Sequence, residues 1–300
     1  MKKIKGGVWP AMFTPFNDSG RPALAVVDQI VETMVGEGLD GLYVLGSTGQ
    51  GPALSLEDRK QVAERTVNAN AGRLPVIVHV GCITTSDSVE LAKHAAKVGA
   101  DGISSVPPIY FPCTADGLFE HYRRVGGATD LPFYPYHHFM FGESMLADPE
   151  YPERLLSLPN IAGMKITVRD LFLFGILQRH THGRMNLFSG ADELLCHAAV
   201  SGAMGAIGTF YNLFGPTCQA VRKAFVGGDF ARGQAFMSVF QGMVDKLIRS
   251  GGMYAFLRDA MKLKYEIEIG PGAAPSSYGT VSWKEEEVRA VIQEVEAAGA

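Results

Sequence analysis

With 300 residues, 47% of them hydrophobic, and a mean hydropathy of +0.08, the chain has the length of an α/β barrel and the apolar mass for a large core. A formal net charge of −4 and an isoelectric point near 6.1 exclude the basic footprint of a nucleic-acid binder. No apolar stretch approaches the ~18–20 residues that span a bilayer, which argues against a membrane partner.

The basic start, Met1-Lys2-Lys3-Ile4-Lys5, runs into Gly6-Gly7 and Trp9-Pro10 without the apolar centre of a signal peptide. Short β-rich runs then recur at Val8–Phe13, Gly41–Leu45, Pro75–Val80, Gly102–Val106, Pro132–His137, Ile161–Ile166, Met185–Phe188 and Ala203–Thr209. Each is followed by an amphipathic stretch of helical length. The clearest of these helices covers 55–71, with Ser55 as N-cap, Glu57 and Asp58 in the first turn and Gly72 at its end. Alternating strand and helix implies parallel strands joined by right-handed crossovers. Eight such units predict a closed (β/α)8 TIM barrel, with an open doubly wound sheet as the alternative. The barrel is expected to occupy residues 1–226 and a C-terminal helical extension 227–300. That extension reads as helices over Asp229–Arg249 and Tyr254–Tyr265, a Gly/Pro-rich break at 270–275, and a last helix opening on a capping box from Ser282 to Glu285. The cysteines Cys82, Cys113, Cys196 and Cys218 lie too far apart for a metal or redox motif and read as reduced structural thiols of a cytoplasmic protein.

Chemistry in a barrel gathers at the carboxyl ends of the strands. After the second run comes Gly46-Ser47-Thr48-Gly49-Gln50-Gly51, whose glycines and hydroxyls suit a small anion nest or a plain βα turn. It lacks the lysine of a P-loop and the glycine spacing of a dinucleotide fingerprint. The fifth run ends in Tyr134-Pro135-Tyr136-His137-His138-Phe139, where a tyrosine at the mouth can shuttle a proton. The adjacent histidines point to opposite faces, so no metal is assigned. Lys165 closes the apolar run Ile161-Ala162-Gly163-Met164. A buried ammonium is costly, and a neutral amine in its place can attack a ketone to form an imine. A snorkelling strand-end lysine is the plain alternative. The loops at Ser189–Glu193 and Ile207–Asn212 add amides, hydroxyls and carboxylates fit for a polyhydroxylated ligand.

The set Gly46-Ser47-Thr48-Gly49, Tyr110, Tyr136, Lys165 and Gly205-Ala206-Ile207-Gly208 resembles the class I pyruvate-dependent aldolases of the dihydrodipicolinate synthase/N-acetylneuraminate lyase family over essentially the whole chain. His79-Val80-Gly81-Cys82, Phe133–His137, Lys165-Ile166-Thr167 and Gly190-Ala191-Asp192-Glu193 resemble the N-acetylneuraminate-cleaving branch. The resemblance implies a Schiff base on Lys165 and proton transfer by Tyr136, with Ser47 and Tyr110 completing the catalytic set. It implies that Ser47 and Thr48 hold the carboxylate of the pyruvate end, and that Thr167, Gly190, Asp192, Glu193, Gly208 and Thr209 bind the hydroxylated tail. Tyr110 is expected to reach a neighbouring subunit's site in a homotetramer built as a dimer of dimers. No metal or organic cofactor is expected beyond the covalent lysine–pyruvate imine.

Departures from the family pattern fall on the loops that choose the aldehyde. Phe141 stands where dihydrodipicolinate synthases carry an arginine, Gln50 where a glutamate is common, and Tyr136-His137-His138-Phe139 where the family reads Tyr-Asn-x-Pro. They leave open an aldolase or dehydratase for another 2-keto-3-deoxy sugar acid, or a non-catalytic sugar-acid binding protein on the same scaffold.

Overall fold

The computed structural model describes residues 4–111, 113–141, 144–275, 277 and 281–300. Strands β1 (Gly7–Pro10), β2 (Leu42–Val44), β3 (Val76–His79), β4 (Gly102–Ser105), β5 (Phe133–His138), β6 (Gly163–Thr167), β7 (Asn186–Ser189) and β8 (Gly205–Gly208) form one eight-stranded sheet. Neighbouring strands pair in parallel, with β1 against β8 and β2 against β3 at the two ends of the order. A parallel bridge between Ala11 and Tyr43, with the Met12 N–H donating to the Tyr43 carbonyl at 2.8 Å, joins those ends and closes the barrel. The open-sheet alternative is thereby excluded.

Two cores follow from strand alternation, which sends successive side chains to opposite faces. Inside the barrel Trp9, Tyr43, Ile77, Tyr134, Phe188 and Ile207 pack together. Phe188 meets Trp9 and Tyr134 edge-on, with ring centroids 5.7 and 6.0 Å apart. Each such buried aromatic contributes roughly 2–3 kcal/mol of hydrophobic stabilisation, and together they form a solid floor. The other faces of the strands meet the surrounding helices in a larger core that includes Val8, Val44, Val78, Ile103 and Met164. Large side chains inside therefore plug the lower barrel and leave the carboxyl-end mouth for a ligand.

The helix Leu56–Asn70 starts as predicted: Ser55 Oγ accepts the Asp58 N–H at 3.1 Å. It ends one step earlier than the glycine implied, because Ala71 itself adopts the left-handed conformation at φ 47°. Beyond the eighth βα unit come helices Phe230–Ser250, Met253–Tyr265 and Glu285–Gly299. The last one corrects the predicted capping box. It opens at Glu285, and the backbone N–H of Lys284, not of Ser282, donates to Glu287 at 3.2 Å. Trp283 is the reason: its indole N–H donates to the Gly252 carbonyl at 3.0 Å and its ring packs edge-on against Phe256, which holds the preceding segment out of the helix. All four cysteines are free; Cys196 and Cys218 are buried, whereas Cys113 is exposed and so does not fit the structural role expected of it. Among the described residues no helix is long and apolar enough to cross a membrane.

Candidate active site

Lys165 lies on β6 opposite Tyr136 of β5 and Phe188 of β7. Its side chain points inward and is only 5% exposed. The ammonium nitrogen stands 4.3 Å from the centre of the Tyr136 ring and 4.4 Å from that of Tyr43. The aromatic faces favour a cation, yet burial dominates and lowers the lysine pKa to about 7, against a smaller opposing pull from Asp192. Near neutral pH a large fraction of this amine is therefore unprotonated and nucleophilic, and the snorkelling alternative is set aside.

Tyr136 is buried, and its hydroxyl lies 3.1 Å from Thr167 Oγ1. Burial pushes its pKa up to about 12, partly offset by hydrogen bonding from Thr167 and Ser47. It is thus neutral at ordinary pH, able both to donate and to accept a hydrogen bond. Tyr43 is held beneath by its own hydroxyl, which donates to Ser104 Oγ at 2.9 Å. Close packing leaves no room for side chains at two points. A Cβ at Gly190 would fall 2.0 Å from Thr167 Oγ1 and 2.9 Å from Lys165 Cε, and one at Gly208 would fall 1.7 Å from Asp192 Oδ1. Both glycines therefore serve as clearance around the lysine and the acid.

The loop after β2 wraps tightly. Gln50 takes a left-handed conformation at φ 51° and its N–H donates to the Ser47 carbonyl at 3.0 Å. The amides of Ser47 and Thr48 donate to no acceptor among the described residues, which leaves them for an anion. Thr48 Oγ1 meets Thr209 Oγ1 at 2.7 Å, linking this loop to the one after β8. Two contacts from the C-terminal helical region brace it. The Tyr254 hydroxyl donates to the Ser47 carbonyl at 3.3 Å, and Gln50 Oε1 accepts the Ala273 N–H at 2.5 Å.

Asp192 is buried and accepts the Phe210 N–H at 2.6 Å. Its carboxyl is pushed up to about 7, by burial first, then lowered by the Phe210 amide and raised by Glu193. It therefore ties the β7 loop to the β8 loop as well as facing the lysine. Glu193 is half-buried, and its carbonyl accepts an N–H of Gln241 at 2.8 Å. Lys165, Tyr136, Thr167, Gly190, Asp192, Gly208, Thr209, Thr48 and Ser47 are thus gathered at one mouth. Tyr110 does not join them: it is 75% exposed, with its ring edge-on to Phe111 at 5.1 Å. The side chain of Phe141 and residues 142 and 143 lie outside the described part of the chain.

Tyr43 and Tyr254 are contributors that the sequence reading did not single out. Tyr43 occupies an inward position of a predicted strand and was open to recognition by alternation. Tyr254 lies 207 residues from its partner Ser47, a distance at which no local pattern carries a signal.

The chain is similar to known proteins in sequence and in fold. The model of the Dihydrodipicolinate synthetase family matches residues 5–269. The N-acetylneuraminate lyase of Mus musculus is 35% identical over 285 residues, covering 93% of this chain and 89% of that protein. A Ruminococcus gnavus sialic acid aldolase, solved as a catalytic lysine mutant, superposes with a TM-score of 0.90 at 26% identity over 99% of this chain and 97% of that one. The Proteus mirabilis N-acetylneuraminate lyase superposes with a TM-score of 0.86 at 29% identity over 99% of both chains. With a buried lysine on the sixth strand of a closed barrel and a family match over most of its length, the chain belongs to the dihydrodipicolinate synthetase family.

Proposed function

We propose that this chain is a Schiff-base aldolase, a carbon–carbon lyase that splits N-acetylneuraminate reversibly into N-acetylmannosamine and pyruvate. The observation that carries the reading is Lys165, buried between the Tyr43 and Tyr136 rings with its pKa lowered to about 7. The free amine attacks the C2 ketone of the open-chain sugar acid, and loss of water leaves an iminium. Tyr136, with Thr167 and Ser47 on its hydroxyl, gives up its proton so that the C2 hydroxyl leaves as water, and the resulting phenolate then takes the proton from the C4 hydroxyl as the C3–C4 bond breaks. The bonding electrons pass into the iminium, leaving a neutral enamine and the free aldehyde. Protonation of the enamine at C3 and hydrolysis of the imine release pyruvate and restore the amine. The open amides of Ser47 and Thr48 bind the carboxylate. Thr167, Thr209, Glu193 and Asp192, with Gly190 and Gly208 giving room, shape the site for the hydroxylated tail. The names of the relatives support the substrate assignment.

A second reading keeps the imine and changes the sugar acid. It is favoured by the end of β5, where His138 and Phe139 stand with ring centroids 4.1 Å apart at the mouth. Exposed Tyr110 is further proposed to complete the site of a neighbouring copy in a homotetramer; full activity in a species that light scattering sizes as a monomer would remove that role. Borohydride trapping with N-acetylneuraminate, read by peptide mass, tests the main reading. A pyruvyl-sized adduct on Lys165 is the expected result. Trapping with pyruvate alone, and none with the sugar acid, would reject the substrate while keeping the chemistry.

A further inference from the structure

His138 has no part in the steps above, yet it stands at their edge. Alternation along β5 puts residues 134, 136 and 138 on the barrel-interior face. The register that sets Tyr136 against Lys165 also sets His138 against Thr167. The imidazole centre lies 5.9 Å from the Tyr136 ring, nearly perpendicular to it, and the Phe139 ring covers it at 4.1 Å. Its Nδ1 accepts the Met140 N–H at 3.3 Å, which places the ring proton on Nε2. Burial, and then the nearby Lys165, lower its pKa to about 4. The ring is therefore a neutral group with one committed acceptor and one available donor.

Resting on the proposed substrate class, we infer that His138 is a specificity-determining residue whose Nε2–H donates a hydrogen bond to an acceptor oxygen on the aldehyde-derived half of the sugar acid. Position selects that half of the ligand. Two residues along a strand advance about 6.6 Å, so His138 meets the ligand well beyond the atom bonded to Lys165. The carboxylate end is assigned to the amides of Ser47 and Thr48, on the loop after β2. Chemistry selects a donor role, because the only lone pair on the ring is already used by Met140. A half-buried donor discriminates sharply: a ligand lacking the matching oxygen leaves the N–H unpaired, which an aliphatic side chain at this position would not penalise.

The test uses the condensation direction, pyruvate with N-acetylmannosamine, on the full chain. His138→Leu is expected to raise KM for N-acetylmannosamine about tenfold, while KM for pyruvate and borohydride trapping of the pyruvate imine stay unchanged. His138→Gln, whose amide N–H reaches close to the Nε2 position, is expected to recover most of the loss. The inference is overturned if His138→Leu leaves KM for N-acetylmannosamine unchanged, or if His138→Gln is as impaired as His138→Leu. It is also overturned if pyruvate trapping falls in parallel, since the residue would then act on the lysine or on the fold. Wild-type protein that traps pyruvate but does not condense N-acetylmannosamine overturns the substrate assignment itself and the inference with it, a result read before any variant is made.

Discussion

Replacing Lys165 with methionine separates the cost of the buried amine from its use. The lysine pKa falls from 10.5 to about 7 on folding, and each unit corresponds to ~1.36 kcal/mol. Because the folded value is the lower one, the unfolded chain binds more protons between these two values. The lysine thus destabilises the fold most at and below pH 7, and the penalty vanishes as the pH rises past 10.5. Linkage puts the penalty at roughly 4 kcal/mol at pH 7 and roughly 2 kcal/mol at pH 9. Asp192 shifts the comparison in the same direction. Without the neighbouring cation its already raised pKa climbs further, which costs the variant stability as the pH rises. Lys165→Met is therefore expected to lose all turnover, to be several kcal/mol more stable than the wild type at pH 7, and to lose at least about 2 kcal/mol of that advantage by pH 9. Urea unfolding of both proteins at the two pH values, at matched concentration, measures this directly. A variant no more stable at pH 7, or an advantage that does not change with pH, would refute the argument that desolvation prepares the amine.

The same pKa predicts that borohydride trapping of pyruvate on Lys165 falls about tenfold per unit as the pH drops below about 7 and levels off above it; flat trapping between pH 5 and 8 would contradict a titrating lysine. Tyr136→Phe keeps the ring beside the ammonium but removes the hydroxyl 3.1 Å from Thr167, so kcat is expected to fall by about 10²–10⁴ with little change in Tm. Unchanged kcat would take the proton relay away from this residue. Gly190→Ala forces a methyl to within 2.0 Å of Thr167 Oγ1 and 2.9 Å of Lys165 Cε. It is expected to cost about 1–3 kcal/mol of stability and, by displacing the amine, about 10² in imine formation; normal trapping would mean that the loop yields freely.

Much of this was legible along the chain because the signals are local. Apolar runs at regular spacing, Ser55 before an acidic first turn, and a lysine ending the run Ile161–Met164 each follow from chemistry within a few residues. The last helix was misread for a complementary reason. Ser282 and Glu285 have the spacing of a capping box, but Trp283 is committed to Gly252, over thirty residues earlier, and that contact overrides the local preference.

The sequence by itself determined the alternating βα plan, the inward lysine and tyrosine, and the glycine-rich turn after the second strand, since strand periodicity and turn chemistry act over short distances. Only the tertiary structure decided that the sheet closes, through Ala11 and Tyr43. It alone set Tyr43 under the amine, Asp192 on the Phe210 amide and Tyr254 on Ser47. Lysine pKa, carboxylate pKa and loop shape all depend on desolvation by groups far apart in the chain, which come together only when the barrel closes and excludes water.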